Sequence, residues 1–307
     1  GLDWDIGLNP YLRTGGYFAT SSTDSVAPPP PGESWAGSGD LYWNSRNYRV
    51  HGMVTQIGQG FNDEMGFITR TGVRQWRLDS NYVLWPENTI LHQTWFTYDL
   101  DYITSLETKQ IETRLNNVQA ATFFQDSSGV ALKYYDELET LTAPFQVHPG
   151  VTIPAGAYDF HYWFFGFQTD YSKPVGGAGR LTVGNYYDGT QLRAFYALVY
   201  RPLAGLYTAV TYEHDRLFLP AGNFTTDLLA TELTYAFSPT LSTRFWLNWD
   251  RLDNLRAQFV FNWEYRPGAN FYVIYQDTRK YTDIFDPQQP LAGLPGRKIL
   301  TKTVFRF

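Results

Sequence analysis

The sequence predicts an all-β protein, a transmembrane antiparallel β-barrel of about 16 to 18 strands, with room for a larger barrel, and three observations predict it. Aromatic residues make up 18% of the 307 residues (23 Tyr, 22 Phe, 10 Trp), while mean hydropathy stays at -0.34, so rings and not aliphatic runs supply the apolar surface. Apolar and polar residues alternate with period two over stretches longer than ordinary globular strands. The chain also ends on such an alternating stretch, at the aromatic Phe307. A closed barrel in lipid needs a narrow apolar band outside, aromatic girdles at both interfaces and a polar interior, which gives high aromaticity at modest hydropathy.

No stretch approaches the roughly 18 to 20 uninterrupted apolar residues of a spanning helix. The densest run is Tyr162 to Phe167. A closed barrel is the other architecture that satisfies every backbone polar group in hydrocarbon, so residues 1–307 are expected to be one outer-membrane barrel or not to be integral to a membrane. The absence of cysteine removes a disulfide frame and Cys metal sites. The net charge of -6 argues against nucleic acid, whose phosphates demand a basic surface. Gly1 is not an initiator Met, and no charged segment followed by an apolar one stands at the start, so the chain reads as a processed or trimmed product.

The elements are clearest in the C-terminal third. Leu255, Ala257, Phe259, Phe261, Trp263 and Tyr265 share one face, opposed by Arg256, Gln258, Asn262, Glu264, Arg266 and the lone apolar Val260. Before it, Leu241, Thr243, Phe245, Leu247 and Trp249 oppose Ser242, Arg244, Asn248 and Asp250, with Trp246 the exception. Leu229 to Phe237 repeats the rule. Stretches of this length match the 9 to 11 residues of a tilted strand crossing a bilayer, and such short links make them antiparallel hairpins. Phe160 to Phe167 is apolar on both faces, which suggests a lumen packed with side chains or a plug, and Phe271 to Asp277 does not declare its outer face.

Punctuation gives about 17 strands. Tight turns at Asn9-Pro10, 44–47, 86–88, 127–129, 172–177, 202–205, 238–240 and 267–270 alternate with a set that includes longer loops at 24–37, 57–67, 147–156, 217–224 and 281–298. That asymmetry is expected of outer-membrane barrels, the short side being periplasmic. An odd count with Phe307 at the periplasmic face leaves the first strand descending from outside, so either at least one upstream strand is absent from this chain or a hairpin is miscounted.

The closing strand Ile299 to Phe307 places Ile299, Thr301, Thr303, Phe305 and Phe307 outward and Lys302 and Arg306 inward. Phe305 and Phe307 form the expected motif for the barrel assembly machinery. Arg244, Asp250, Arg256, Glu264, Lys302 and Arg306 are the candidate lumen-lining residues, as a selectivity ring, a binding surface or a cross-strand ion-pair network. Catalytic residues, cofactors and metals are not expected. The five histidines are scattered without ligand spacing, and His161 and Ser172 lie eleven residues apart. Gly60 to Glu64 reads as a turn sooner than a Ca²⁺ loop, and Pro28 to Pro31 as part of an exposed connection.

Several blocks resemble the C-terminal barrel half of a bacterial family, the carbohydrate-binding family 9-like proteins that carry the domain of unknown function 5916. They are Ile57 to Phe67, Val147 to Gly156, Tyr186 to Gly189, Leu219 to Thr226, Tyr265 to Gly268 and Phe305 to Phe307, in the family's order. The resemblance implies an outer-membrane barrel preceded by further strands and a carbohydrate-binding-like domain, and it brings no catalytic residues. The leading functional expectation is a channel or transport barrel for a polar solute. The competing one is a non-conducting anchor, scaffold or subunit of a larger assembly. Expected partners are outer-membrane lipid and lipopolysaccharide, the assembly machinery and partner subunits.

Overall fold

The structure, a computed structural model, describes residues 1–22, 33–62, 68, 70–87, 89–251, 254–280 and 296–305. In chain order the strands are β1 (Leu2–Asn9), β2 (Leu12–Thr20), β3 (Trp35–Asn44), β4 (Tyr48–Ile57), β5 (Val73–Leu84), β6 (Leu91–Ser105) and β7 (Ile111–Phe124). Next come β8 (Gly129–Leu141), the short β9 (Phe145–His148) and β10 (Val151–Ile153), β11 (Gly156–Gln168), β12 (Val175–Tyr186) and β13 (Gly189–Tyr200). The last six are β14 (Leu206–Leu219), β15 (Gly222–Ser238), β16 (Leu241–Asp250), β17 (Asn254–Arg266), β18 (Ala269–Lys280) and β19 (Lys298–Val304). Seventeen of them form one sheet, an antiparallel meander in which each strand pairs with its neighbour in the chain and β8 pairs with β11. β9 and β10 form a separate hairpin.

All the long connections stand at one end of the strands, together with a few tight turns, and the other end has short connections throughout. Polar side chains make the short turns by replacing backbone partners. Asn9 Oδ1 accepts the N–H groups of Tyr11 and Leu12. Asp126 accepts Ser128 N–H and Asp170 accepts Ser172 N–H, and bonds from these serines hold both carboxyls below the ordinary carboxylate range. Residues 217–224, expected as a long loop, are instead two strand ends joined tightly at Leu219 and Gly222.

Antiparallel partners share a face and successive residues alternate, so the registers sort the strand residues onto two faces. One face carries Asp5, Arg13, Asp40, His51, Arg77, Asp99, Arg193, Glu232 and Arg244 among many polar groups. The other carries Leu41, Trp76, Phe96, Trp163, Phe165, Tyr196, Leu198 and Trp263, all exposed. Phe271 and Val273 fall on this apolar face and Tyr272 and Ile274 on the charged one. Soluble monomers rarely expose apolar patches beyond a few hundred Å², and here the exposed rings recur across the whole sheet.

Charged side chains on the apolar face lie at the long-loop ends of the strands. Asp136 on β8, His161 on β11 and His214 on β14 stand seven or eight residues from the short-turn ends Gly129, Gln168 and Leu206. Nearer the short turns this face is uncharged, and aromatic residues gather there, as in the pairs Tyr11 with Trp43 and Tyr48 with Tyr82.

The sheet curves around its charged face. Leu141 on β8 and Phe224 on β15 pack on the same small cluster, although five strand spacings separate them, roughly 24 Å on a flat sheet. The sheet is nevertheless open: among the described residues no register joins β1 to β19. An odd number of antiparallel strands leaves the first and last running in the same direction, so their direct pairing would be parallel. The expected closed wall is therefore present as a curved meander with one open seam.

Candidate functional site

Ion pairs and hydrogen bonds cross the charged face from strand to strand. Arg13 pairs with Asp5 across β1 and β2. His51 on β4 lies between Asp40 on β3 (3.4 Å) and Asp79 on β5 (3.7 Å). Arg77 and Gln75 on β5 reach Asp101 on β6 at 3.3 and 2.7 Å. Arg193 faces Asp215 across β13 and β14 at 3.9 Å, and Arg244 faces Glu232 at 3.6 Å. Pairs of this kind, half-exposed, are each worth at most about 1 kcal/mol, but they fix the side chains of the charged face.

One transverse row stands out by its charge. The registers align His51, Asp79, Asp99, Asn117, Tyr135 and Tyr162 on β4, β5, β6, β7, β8 and β11. Asp79 and Asp99 are directly opposed, which is unfavourable for the pairing, and Asn117 Nδ2 donates to Asp99 at 2.8 Å. Tyr135 and Tyr162 stack with ring centres 4.6 Å apart, and Tyr162 Oη donates to Glu137 at 3.1 Å. The row is acidic at β5 and β6 and aromatic at β8 and β11.

The hairpin β9–β10 folds onto this face at the long-loop end. Val151, Ile153 and Leu219 form its buried cluster, with Ile153 fully buried and Leu141, Val147, Tyr158, Tyr186, Tyr187 and Phe224 packed around them. The His148 ring stacks on Phe224 at 4.5 Å, and Tyr158 Oη donates to the Pro154 carbonyl at 2.9 Å. Gly150 turns the hairpin at φ +80°, a region that disfavours a side chain. Tyr187, in the β12–β13 turn, takes φ +49° and is held by Phe160 and Tyr158 at 5.3 and 5.2 Å. Burial, with the neighbouring Tyr186, Glu139 and Glu137, pushes its phenol up to about 12.

A second contact crosses the charged face at the same end. Arg70, just before β5, reaches across to Thr113 Oγ1 and Glu139 on β7 and β8, both at 2.8 Å. Below lie Glu137, Tyr162, and Arg193, whose guanidinium sits 4.9 Å over the Tyr186 ring. The arrangement is a polar and aromatic cluster at the long-loop end of the charged face.

Two clusters interrupt the apolar face at its long-loop end. Asp136, Asp159 and His161 bring donor atoms within 4.8 Å of one another, a spacing open to a metal ion. Arg114 already lies on both carboxylates at 3.2 and 3.4 Å, so a protein cation fills that demand. In the second cluster, Asp227 accepts from Tyr212 Oη and His214 Nδ1, both at 2.6 Å, and pairs with Arg251 at 2.9 Å.

Of the residues expected to line a lumen, Arg244, Asp250, Arg256, Glu264 and Lys302 fall on the charged face. They do not converge on one point. Arg244 pairs with Glu232, Asp250 accepts from Asn254, and Glu264 accepts the N–H of Gly268 at 2.7 Å and so serves the β17–β18 turn. Arg256 borders a shallow recess with Asn248, Asp250 and Glu213. Phe305 is exposed beside Tyr265, whereas Arg306 and Phe307 lie outside the described residues, as do Pro28 to Pro31, Asp63 and Glu64. His161 stands toward the long loops of β11, and Ser172 serves the turn at the opposite end. Sequence reasoning did not find the Asp79–Asp99 row, whose members lie twenty residues apart and meet only through the register, or the inward hairpin.

No family model matches the chain, and no curated protein matches it.

Proposed function

We propose that the protein is an integral β-barrel of a bacterial outer membrane that admits a polar solute along its charged face. One observation carries the reading: an exposed, uncharged, ring-rich band extends seven or more residues upward from the short turns on the apolar face. A tilted strand needs about 9 to 11 residues to cross hydrocarbon, and an outward apolar band about 25 Å tall, edged by aromatic residues, is the mark of such barrels. With that face in lipid, the curved charged face encloses water, the short turns are periplasmic, and lipid, lipopolysaccharide and the assembly machinery are the partners. Barrels of 16 to 18 strands leave an aqueous lumen, and the ion pairs above would line it.

The inward hairpin favours a second reading, a plugged barrel that anchors a larger assembly. Single-channel recording in a planar bilayer separates the two, using the parent chain and a variant with residues 145–153 replaced by a short Asn-Gly turn. A steady current that grows when the hairpin is removed supports the channel. Silence from both inserted proteins overturns it and leaves the scaffold. A protein that stays monodisperse in buffer without detergent overturns both.

A further inference from the structure

We infer that the apolar face carries, at its upper rim, a binding site for the phosphate of a membrane lipid, formed by His214, Arg216 and Arg251 around Asp227. The inference rests on the membrane reading above and adds to it a headgroup and a place.

Asp227 is 6% exposed, and a carboxylate so placed is costly unless fully bonded. Its three side-chain donors supply that, and they also fix the cations. Arg251 is held twice, because its own N–H donates to the Asp227 carbonyl at 3.1 Å. His214 gives its Nδ1–H to Asp227, so its Nε2 can donate to a phosphate only in the imidazolium form. The Arg251 side chain stays 54% exposed. Arg216 stands on the same face of β14, two residues nearer the loop, with its guanidinium 5.7 Å from the Phe218 ring, and among the described residues it has no carboxylate partner.

Among the described residues of this face, one acid is thus grouped with two arginines and a histidine. The other cluster on this face, on β7, β8 and β11, sets two aspartates against one arginine and one histidine, so among the described residues of this face arginine outnumbers carboxylate only around Asp227. It sits where the uncharged band ends. Below it the partner strand β13 offers Leu192, directly opposite Arg216, then Ala194 opposite His214, Tyr196 and Leu198. Leu192, Tyr196 and Leu198 are exposed. A phosphorylated glycolipid fits both halves, with its phosphate on charge-assisted donors and its acyl chains on the strip beneath. Free phosphate would use only the first half.

The test is a titration of bis-phosphorylated lipid A into the protein in neutral detergent, with retained lipid counted by native mass spectrometry. Arg216→Gln leaves the Asp227 bonds intact and so spares the fold, and Arg216→Gln with Arg251→Gln removes both guanidinium groups. We expect about a tenfold loss of affinity for the single change and a further loss for the double. Lipid A without phosphates should bind no better than to the double variant, and inorganic phosphate should not compete. Equal binding by the parent and the double variant, or displacement by inorganic phosphate, overturns the site. A parent chain that will not insert into phosphatidylcholine vesicles overturns the membrane reading itself, whereas one that inserts and ignores lipid A overturns only the headgroup site.

Discussion

The two ends of the strands solve different problems. At the short-turn end, turns are closed by Asn9, Asp126 and Asp170, one face is uncharged and ring-rich, and Phe165, Leu198 and Trp263 stand exposed. At the long-loop end, charge appears on both faces, and Ile153, the one fully buried large side chain among the described residues, lies under a hairpin against β14 and β15. A soluble β-sandwich buries its apolar residues midway between two sheets. Here the rings on the apolar face of the lower half stay exposed, and the cluster of buried apolar side chains lies at one rim.

Four measurements would break or sharpen that contrast. The largest effect is expected from Ile153→Ala, which should loosen the hairpin by about 2–5 kcal/mol, read as faster hydrogen exchange across 145–153 with β13 and β17 unchanged. Uniform exchange throughout would mean that the rim is not a separate packing unit. Gly222→Ala should act at the same seat, since its Cβ would lie 3.1 Å from Val151 at φ +141°. Next, Phe96→Arg in the uncharged band should cost about 2–4 kcal/mol in denaturant unfolding from lipid vesicles, against about 0–1 for Leu192→Arg at the rim. Equal costs would remove the distinction between the ends. Asp99→Asn relieves the opposed carboxylates and should gain about 0.2–1 kcal/mol, while lowering cation preference in reversal potentials across a KCl gradient. An unchanged potential would take the row off the solute's path.

The smallest effect concerns pH. The Tyr187 phenol is raised from 10.0 to about 12. Its contribution to the hairpin seat is thus complete below pH 10 and disappears as pH rises through about 12. Proteolysis of the hairpin should accelerate in that window in the parent and not in Tyr187→Phe, whose ring keeps the packing without the proton.

The legible parts of the sequence were those in which each face has one neighbour. β15 from Leu229 onward, β16 and β17 alternate cleanly because one side is mostly apolar and the other mostly polar, and Trp246 and Val260 are merely apolar residues on the charged face. β11 resisted for a physical reason: Tyr158 and Phe160 belong to the hairpin's aromatic surroundings, so the charged face is apolar there too. The same packing hid the turn at 220–221, where Leu217, Leu219 and Phe224 look like loop residues until the hairpin accounts for two of them. In β2, β3 and β4, glycines at 15, 16, 37, 39 and 52 leave gaps in the pattern. The Asp79–Asp99 row and the Asp227 cluster depend on register, which no single segment encodes.

The hairpin also has a mechanical meaning. It leaves the wall between β8 and β11 and clamps onto β14 and β15, so it works as a cross-brace spanning the arc of five neighbouring strands. A load on the loops is passed directly to a distant part of the wall. Any change that slackens the brace therefore frees β14 and β15 from the β8–β11 side of the sheet.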